Sequence, residues 1–291
     1  MTARPRRSCL YMPGANAKAL EKAKTLPTDV LLLDLEDSVA PEAKDAARDQ
    51  VAAAVKAGGY GKREVIVRVN ALATPWGRED IAAAGGAHPD GILAPKVESG
   101  AEVRALNQAM TDAGFSDAAT LWVMIETPRA ILNLPEIAAA AKGTRLSVFV
   151  MGLNDLAKET RARAGVNRAA FFAPMSLAVT AARAEGIIVI DGVYNDIANS
   201  AGFETECRQG LDFGFDGKTL IHPSQIDTCN AIFAPTEEEV SRARAVIAAF
   251  ALPENAGKGV IKVDGKMTEL LHLEQAKQVV AVMEAIESLS A

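Results

Sequence analysis

The sequence predicts a closed (β/α)8 barrel of the TIM type, followed by a C-terminal helical extension. The chain has 291 residues, which suits one barrel of this kind with an appendage. Eight short apolar segments have the composition of strands that are buried on both faces. Longer Ala-rich segments with helix signals separate them, and a strand–helix alternation repeated eight times is typical of a closed parallel barrel. The competing open, doubly wound sheet more often stops at about five to seven strands.

The strands and helices of the barrel alternate from the N-terminus onwards. The predicted strands are residues 9–12, 30–35, 65–69, 91–95, 121–125, 146–151, 187–190 and 218–221. The predicted helices are residues 17–24, 41–56, 77–84, 101–112, 128–141, 176–185, 204–212 and 223–233. Pro41, Pro128 and Pro223 begin three of these helices, at a position where the missing backbone N–H costs nothing.

The alternation ends at residue 233, so we assign residues 1–233 to the barrel and residues 234–291 to the extension. In the extension we expect two helices, 235–250 and about 268–289, joined by a looser, glycine-rich segment. The last helix has an apolar stripe, and a stripe of this kind packs on the barrel or on another subunit. We expect it to pack on a neighbouring subunit.

The composition argues against several classes of protein. The formal net charge of −6 disfavours a nucleic-acid binder, which needs a basic face. The basic N-terminus is not followed by an apolar segment, and no apolar run approaches the roughly 20 residues of a membrane helix. Cys9, Cys207 and Cys229 lie far apart without CxxC spacing, so we expect reduced thiols. These features predict a cytoplasmic protein that binds neither nucleic acid nor membrane.

Polar or charged side chains follow seven consecutive predicted strands. In a (β/α)8 barrel the C-terminal ends of the strands converge on one face, where active sites are built. Buried charges are costly unless they are paired or bind a metal, so this convergence predicts an enzyme. In strand order these residues are Asp34, Glu36 and Asp37, then Arg68, Lys96, Glu126, Asn154 with Asp155, Asp191, and His222.

The types of side chain at this face suggest a metal. Several carboxylates and one histidine, without a Cys or His cluster, disfavour zinc and favour Mg²⁺, with Mn²⁺ as the alternative. Glu126 and Asp155, from adjacent strands, are the candidate ligands, although each could instead be an ordinary acid at a helix N-terminus. Arg68 would supply a fixed positive charge for a substrate carboxylate or a developing enolate oxygen.

The other charged residues of this face are assigned supporting roles. We expect Asp34, Glu36 and Asp37 to orient metal-bound waters and Arg68 rather than to bind the metal directly. Arg68 could alternatively be a structural arginine that pairs with Glu36 or Asp37. Lys96 could simply pair with one of these acids.

Asn154 is a candidate substrate ligand because it precedes Asp155 at the end of strand six. His222 either contacts substrate or bonds to the backbone at the end of its strand. Asp191 receives no role. No Walker loop, GxGxxG, GxSxG or HExxH motif suggests a different chemistry.

Several short motifs carry a family resemblance that covers essentially the whole chain. They are RSCLYMPG at 7–14, DLEDSV at 34–39, RVN at 68–70, PKVE at 95–98, IET at 125–127, MGLNDL at 151–156, GFDGK at 214–218 and IHP at 221–223. In this order they resemble the citrate lyase β-subunit-like group of the HpcH/HpaI aldolase–citrate lyase superfamily, which includes malyl-CoA lyases and malyl-CoA thioesterases. DGVYN at 191–195 and VDGKM at 263–267 favour the malyl-CoA branch.

The resemblance implies a barrel with a C-terminal helical extension, assembled into homotrimers or hexamers. It implies Mg²⁺ on Glu126 and Asp155, with Arg68 contacting a CoA thioester substrate. Tyr11 and Lys22 would lie where relatives contact the thioester.

One residue departs from the pattern of the lyases. Many of them carry an Asp at the position of Glu269, where it reaches the neighbouring subunit's site as an acid/base. The longer Glu also occurs in related sequences that look like malyl-CoA thioesterases. Glu269 could otherwise be only a first-turn acid of the last helix.

The function expected first is a Mg²⁺-dependent carbon–carbon lyase. It would split malyl-CoA-type 3-hydroxyacyl-CoA thioesters into acetyl-CoA and a 2-oxoacid such as glyoxylate, with Arg68 and Glu269 as catalytic residues. The first alternative is a (3S)-malyl-CoA thioesterase that releases malate and CoA. Further alternatives are a lyase subunit of a larger complex and an aldolase that acts on free acids without CoA.

Overall fold

The computed structural model describes residues 4–165 and 167–290. Eight parallel strands form a closed barrel in chain order, and the first strand also pairs with the last. This confirms the predicted barrel. The strands are β1 (Ser8–Pro13), β2 (Val30–Asp34), β3 (Glu64–Arg68), β4 (Gly91–Ala94), β5 (Thr120–Ile125), β6 (Leu146–Met151), β7 (Ile188–Asp191) and β8 (Gly217–Leu220).

Helices connect the strands and surround the barrel. They are α1 (Ala17–Ala23), α2 (Lys44–Ala57), α3 (Gly77–Gly85), α4 (Gly100–Asp112), α5 (Pro128–Leu132), α6 (Leu134–Ala139), α7 (Leu153–Thr160), α8 (Phe172–Ala184), α9 (Ser200–Phe213) and α10 (Ile226–Ile232). The single helix expected at 128–141 is two helices, and Pro135 lies in the first turn of the second. Helix α7 is not among the eight predicted helix ranges, and Asp155 lies in its first turn, the position considered for an ordinary N-terminal acid.

The interior of the barrel determines which side chains reach the active face. Leu32 and Ile66 belong to the buried cluster inside the barrel. Side chains alternate across a strand, so Asp34 and Arg68, two residues further along, lie on the same side as Leu32 and Ile66. Glu126 directly follows β5 and lies two residues after the core residue Met124, so it is on the same side of the strand. The apolar core and the polar site are therefore successive layers of one interior.

Residues 4–5 and 231–290 form a second compact unit, and residues 6–230 form the first. It contains α11 (Glu237–Ala251), β9 (Val260–Val263), β10 (Lys266–Glu269) and α12 (Leu270–Ser290). A capping box of Thr236 and Glu239 begins α11. Helices α11 and α12 pack through a small cluster that includes Ala243, Val246 and Ala276.

The antiparallel pair β9–β10 lies where we expected a loose segment. Asp264 and Gly265 connect the two strands, and both have positive φ, 48° and 79°. Two residues with positive φ match the twist of a tight hairpin, and Asp-Gly is a strong signal for such a turn. The Asp-Gly pair is visible in the sequence, but Gly257, Gly259 and Gly265 led us to expect an irregular segment instead of a hairpin.

Two further expectations concern membrane-spanning helices and the cysteines. Among residues 4–165 and 167–290, the helices lack the length and apolar character that a bilayer crossing requires. Cys9, Cys207 and Cys229 are buried free thiols. Cys229 donates to the carbonyl of Arg7, at a sulfur–oxygen distance of 3.1 Å.

Replacing Leu32 by Ala should destabilise the barrel by about 3 kcal/mol, because it removes buried methyl groups and leaves a cavity in a closed core. Leu32 is fully buried inside the barrel, whereas Leu132 on α5 is 74% exposed. The matched control Leu132→Ala should therefore change the free energy of unfolding by less than about 0.5 kcal/mol. Urea unfolding followed by circular dichroism measures both, and equal losses would contradict the assignment of the core.

Candidate active site

A cavity of about 390 Å³ opens at the C-terminal ends of the strands. One part of its wall is polar and another is apolar. The polar residues include Tyr11, Asp34, Asp37, Arg68, Asn154, Asp155 and Asn195. The apolar residues include Met124, Met151, Leu153, Val193 and Ile221. The position of the cavity agrees with the general location of active sites in such barrels.

Arg68 is the most heavily paired residue of the site. Its Nε and Nη2 donate to the two carboxylate oxygens of Asp34 at 2.6 and 2.7 Å. Its Nη1 lies 2.9 Å from Glu36 Oε2 and 3.1 Å from Asp37 Oδ2. The guanidinium carbon is 4.7 Å from the centre of the Tyr11 ring. Arg68 is thus a fixed cation surrounded by acids, and Asp34 is its bidentate partner.

Asp34 holds both Arg68 and the turn that follows β2. Its Oδ1 accepts the backbone N–H of Glu36 at 2.8 Å, and its Oδ2 accepts that of Ser38 at 3.0 Å. Burial would raise the pKa of Asp34, but the charge and hydrogen bonds of Arg68 outweigh burial and lower the pKa below its usual value. Asp34 is therefore ionised at neutral pH.

Glu36 bridges the two cations of the site. Its Oε1 accepts from Lys96 Nζ at 3.0 Å, and its Oε2 faces Arg68 Nη1 without making a well-aligned hydrogen bond. Burial, opposed by Arg68 and aided by Asp37, raises the pKa of Glu36. The buried Oε2 thus retains capacity to accept a further hydrogen bond.

Glu126 is buried almost completely, with 1% of its surface exposed. Its Oε1 accepts the backbone N–H of Lys96 at 2.8 Å, while Lys96 Nζ is 4.0 Å away. Burial, followed by the negative charge of Glu36, raises the pKa of Glu126 to about 7, and Asp155 contributes in the same direction. A Cβ at Gly152 would collide with the Glu126 side chain, so only glycine fits beside it.

Carboxylates outnumber cations at this end of the barrel. Asp34, Asp37 and Asp155 line the cavity together with Arg68, while Glu36 and Glu126 lie 3.0 and 4.0 Å from Lys96 Nζ. Because the pKa of Glu126 is about 7, this carboxyl is only partly ionised near neutral pH. Within residues 4–165 and 167–290, no group of three or more His, Cys, Asp or Glu side chains is arranged to hold a metal. Magnesium typically takes one or two carboxylates and fills its octahedron with water and substrate oxygens. Glu126 and Asp155 fit that requirement.

Lys22, His222 and Glu269, which the sequence suggested for the site, are not among the residues that line this cavity. Lys22 is exposed on α1. His222 is exposed, and its Nδ1 accepts the backbone N–H of Ser224 at 3.2 Å, capping the turn Pro223–Gln225. Glu269 ends β10 in the C-terminal unit, where it is exposed and its N–H donates to His272 Nδ1 at 2.9 Å.

Two residues near the cavity were missed by sequence reasoning. Asn195 exchanges side-chain hydrogen bonds with Asn154, at 2.8 and 3.2 Å. Lys44 is buried and donates to the backbone of the turn after β2. Its spacing from the buried residues Ala47 and Val51 follows the inner face of a helix, which was the available signal.

Asp191, which received no role, belongs to a buried ion-pair network. Its carboxylate accepts from Arg168 Nη1 at 2.8 and 2.9 Å and from Lys218 Nζ at 3.0 Å. Lys218, which is fully buried on β8, also donates to Glu206 at 2.7 Å. Burial would raise the pKa of Asp191, but Lys218 and Arg168 lower it. This network joins β7 and β8 to α9 and to the segment before α8.

Known proteins resemble this chain over nearly its full length. It is 45% identical to the (3S)-malyl-CoA thioesterase of Cereibacter sphaeroides over 289 residues, which cover 99% of this chain and 98% of the thioesterase. It is 37% identical to the citrate lyase subunit beta of Escherichia coli over 284 residues, which cover 96% of this chain and 93% of that subunit.

Solved structures share the fold. Protein CitE from Mycobacterium tuberculosis, in complex with magnesium, acetoacetate and coenzyme A, matches with a TM-score of 0.76 and 27% identity, covering 98% of this chain and 100% of CitE. A citrate lyase from Burkholderia xenovorans matches with a TM-score of 0.83 over 99% of this chain and 94% of that structure. Its 17% identity makes this second likeness one of fold alone.

The family model for HpcH/HpaI aldolase/citrate lyase matches residues 7–223, which include all eight strands of the barrel. This match and the two full-length relatives confirm the resemblance inferred from the sequence motifs. The chain therefore belongs to the HpcH/HpaI aldolase/citrate lyase family.

Proposed function

We propose that this enzyme hydrolyses a malyl-CoA-type thioester to the free hydroxyacid and CoA, with Mg²⁺ bound at Glu126 and Asp155. The observation that carries the proposal is the surplus of carboxylates around the cavity, which favours a bound divalent cation. Hydrolysis is placed before carbon–carbon cleavage because the chain is 45% identical to (3S)-malyl-CoA thioesterases from several Cereibacter sphaeroides strains. Cleavage to acetyl-CoA and a 2-oxoacid is the second candidate, favoured by the likeness to citrate lyase beta subunits.

The charged and polar residues of the cavity have separate roles in this proposal. Glu126 and Asp155 would hold Mg²⁺, which supplies Lewis acidity and orients the substrate when bound. Arg68, fixed by Asp34, presents positive charge to the oxygen on which negative charge develops. Asn154 can donate to a substrate oxygen once its bond to Asn195 opens.

The CoA part of the substrate has fewer candidate contacts. Tyr11 lines the cavity beside Arg68, and its ring can pack against the acyl–thioester segment. Lys22 has an exposed ammonium group, which suits an anionic partner such as a CoA phosphate. His222 would contact substrate only after giving up its bond to Ser224. Magnesium and coenzyme A together in the CitE complex support this type of ligand.

We also propose that the chain forms a homotrimer or hexamer in which Glu269 acts as acid/base in a neighbouring subunit's site. The exposed apolar side chains beside Glu269 support a protein contact there. Met267 is 75% exposed, and Leu270 and Leu271 are each about half exposed. Apolar side chains clustered in this way usually mark an interface.

Purified protein with Mg²⁺ and malyl-CoA should release malate and free CoA. A thiol reagent measures CoA, and chromatography separates malate from glyoxylate. Glyoxylate with acetyl-CoA would identify the lyase instead. Activity that appeared only with added partner proteins would point to a subunit of a lyase complex. Turnover of free hydroxyacids without CoA would point to an aldolase, and no turnover of malyl-, methylmalyl- or citramalyl-CoA would refute the substrate class.

Metal affinity should fall as the pH drops through about 7, because the Glu126 carboxyl must lose its proton to bind a cation. Below that pH the Kd for Mn²⁺ should rise by about tenfold per pH unit, since proton and metal compete for one carboxylate. Titration calorimetry between about pH 5.5 and pH 8 measures this dependence.

The control for this titration is Glu126→Gln, which keeps the shape of the side chain and removes its titration. It should bind Mn²⁺ weakly at every pH, with no slope near neutrality. A pH slope that persisted in Glu126→Gln would assign the titration to another group.

Glu269→Gln should lower kcat by about 100-fold or more, because the amide cannot transfer a proton. Mn²⁺ affinity and the oligomeric mass should stay as in the wild type, since Glu269 is exposed and makes no ion pair in the described contacts of its unit. Glu269→Asp should retain part of the activity. Full activity in Glu269→Gln would exclude Glu269 as the acid/base.

A further inference from the structure

Lys44 carries a positive charge that is buried in the protein interior, which is unusual for a lysine. It begins α2, is 6% exposed, and its ammonium donates three hydrogen bonds. Two go to consecutive backbone carbonyls, Leu35 at 2.8 Å and Glu36 at 2.7 Å, and the third goes to Asn70 Oδ1 at 2.9 Å. The ammonium thereby uses all three of its protons within the protein.

The carbonyls that Lys44 binds belong to the turn that carries the acids of the site. Asp34 fixes one side of this turn by accepting the N–H groups of Glu36 and Ser38. Lys44 fixes the other side by donating to the carbonyls of Leu35 and Glu36. The backbone of residue 36 is therefore held at its N–H and at its carbonyl, and the direction of the Glu36 side chain follows from both.

Asn70 provides an independent brace on the same carbonyl. Its Nδ2 donates to Leu35 O at 2.9 Å and to Asp80 Oδ2 at 2.6 Å, and its backbone N–H donates to Asp80 at 2.9 Å. Asn70 is the last residue of the RVN motif, two positions after Arg68, and the sequence analysis gave it no role in binding metal or substrate. Its hydrogen bond to the Leu35 carbonyl shows that it supports the turn after β2.

We infer that Lys44 is a positioning residue: its ammonium fixes the turn 34–37 so that Glu36 and Asp37 stay directed at Arg68 and Lys96 beside the metal-binding carboxylates. The inference rests on the proposed metal-dependent function. Lys44 acts through the backbone of the turn and touches neither Glu126 nor Asp155 in its described hydrogen bonds. Groups that orient a metal site from outside commonly change metal affinity or activity by about 10- to 100-fold when removed.

A positioning role and a purely electrostatic role of Lys44 predict opposite changes in metal affinity when Lys44 is replaced. Lys44 is a cation close to Asp34 and Glu36. Removing a positive charge near a metal site, with the geometry unchanged, would strengthen the binding of another cation. Loss of positioning would weaken it, because the carboxylates would no longer be held in place.

The test is the Kd of Mn²⁺ for wild type and Lys44→Met, measured by titration calorimetry on the full-length protein. We expect the Kd to rise by about tenfold in Lys44→Met. The KM for malyl-CoA at saturating metal should rise as well. Lys44→Arg, which keeps the charge and several donors, should recover part of the affinity.

Arg6→Met is the matched control, because Arg6 precedes β1 at the opposite end of the barrel and its side chain is also largely buried, with 11% exposed. Its Nε and Nη2 donate to Glu64, at the start of β3, at 2.6 and 2.8 Å. Arg6→Met should lower stability and leave the Mn²⁺ Kd within about twofold of wild type. A comparable rise of the Kd in Arg6→Met would overturn the inference, since general loosening would then explain both variants.

An unchanged or tighter Mn²⁺ Kd in Lys44→Met would also overturn the inference while leaving the metal site intact. Should Lys44→Met fail to fold, Asn70→Ala tests the same brace without a change of charge, and its Kd should rise by at least about threefold. An unchanged Kd in Asn70→Ala would count against the inference. A wild type that bound no Mn²⁺ would overturn the proposed metal site and this inference together.

Discussion

An excess of negative charge at the C-terminal end of the barrel constrains the rest of the site. Arg68 would be unstable in an apolar interior without Asp34, and Glu126 is held by a single backbone N–H and a distant ammonium. Carboxylates outnumber cations among the residues that line or adjoin the cavity. The pKa of Glu126 is raised mainly by burial and secondly by the negative charge of Glu36.

The alternation of side chains along the strands connects this charge to the fold. Leu32 and Asp34 point to the same side of β2, as Ile66 and Arg68 do on β3. The layer of charged residues therefore lies directly above the apolar layer that fills the barrel. The pairing of Asp34 with Arg68 in the register of β2 and β3 makes their ion pair a direct consequence of strand register. A one-residue slip would separate them.

Two buried polar networks hold the loops that surround the cavity. Lys44 and Asn70 secure the turn after β2, while Asp191 and Lys218 secure the ends of β7 and β8. Burying charge is seldom the most stabilising choice for a core, so such networks are better understood as devices that specify one geometry. Here the specified geometry belongs to segments that line or support the site.

The sequence by itself determined the barrel, the order of its strands and the polar residues at their ends, because buried parallel strands have a period and composition that few other structures share. The sequence could propose Glu126, Asp155 and Arg68 as site residues, since their positions relative to strand ends are local. Only the tertiary structure decided that Asp34 is the partner of Arg68, that Lys44 holds the neighbouring turn, and that Asp191 belongs to a separate ion-pair network. These contacts join residues far apart in the chain, and local pattern contains no information about which distant side chains meet.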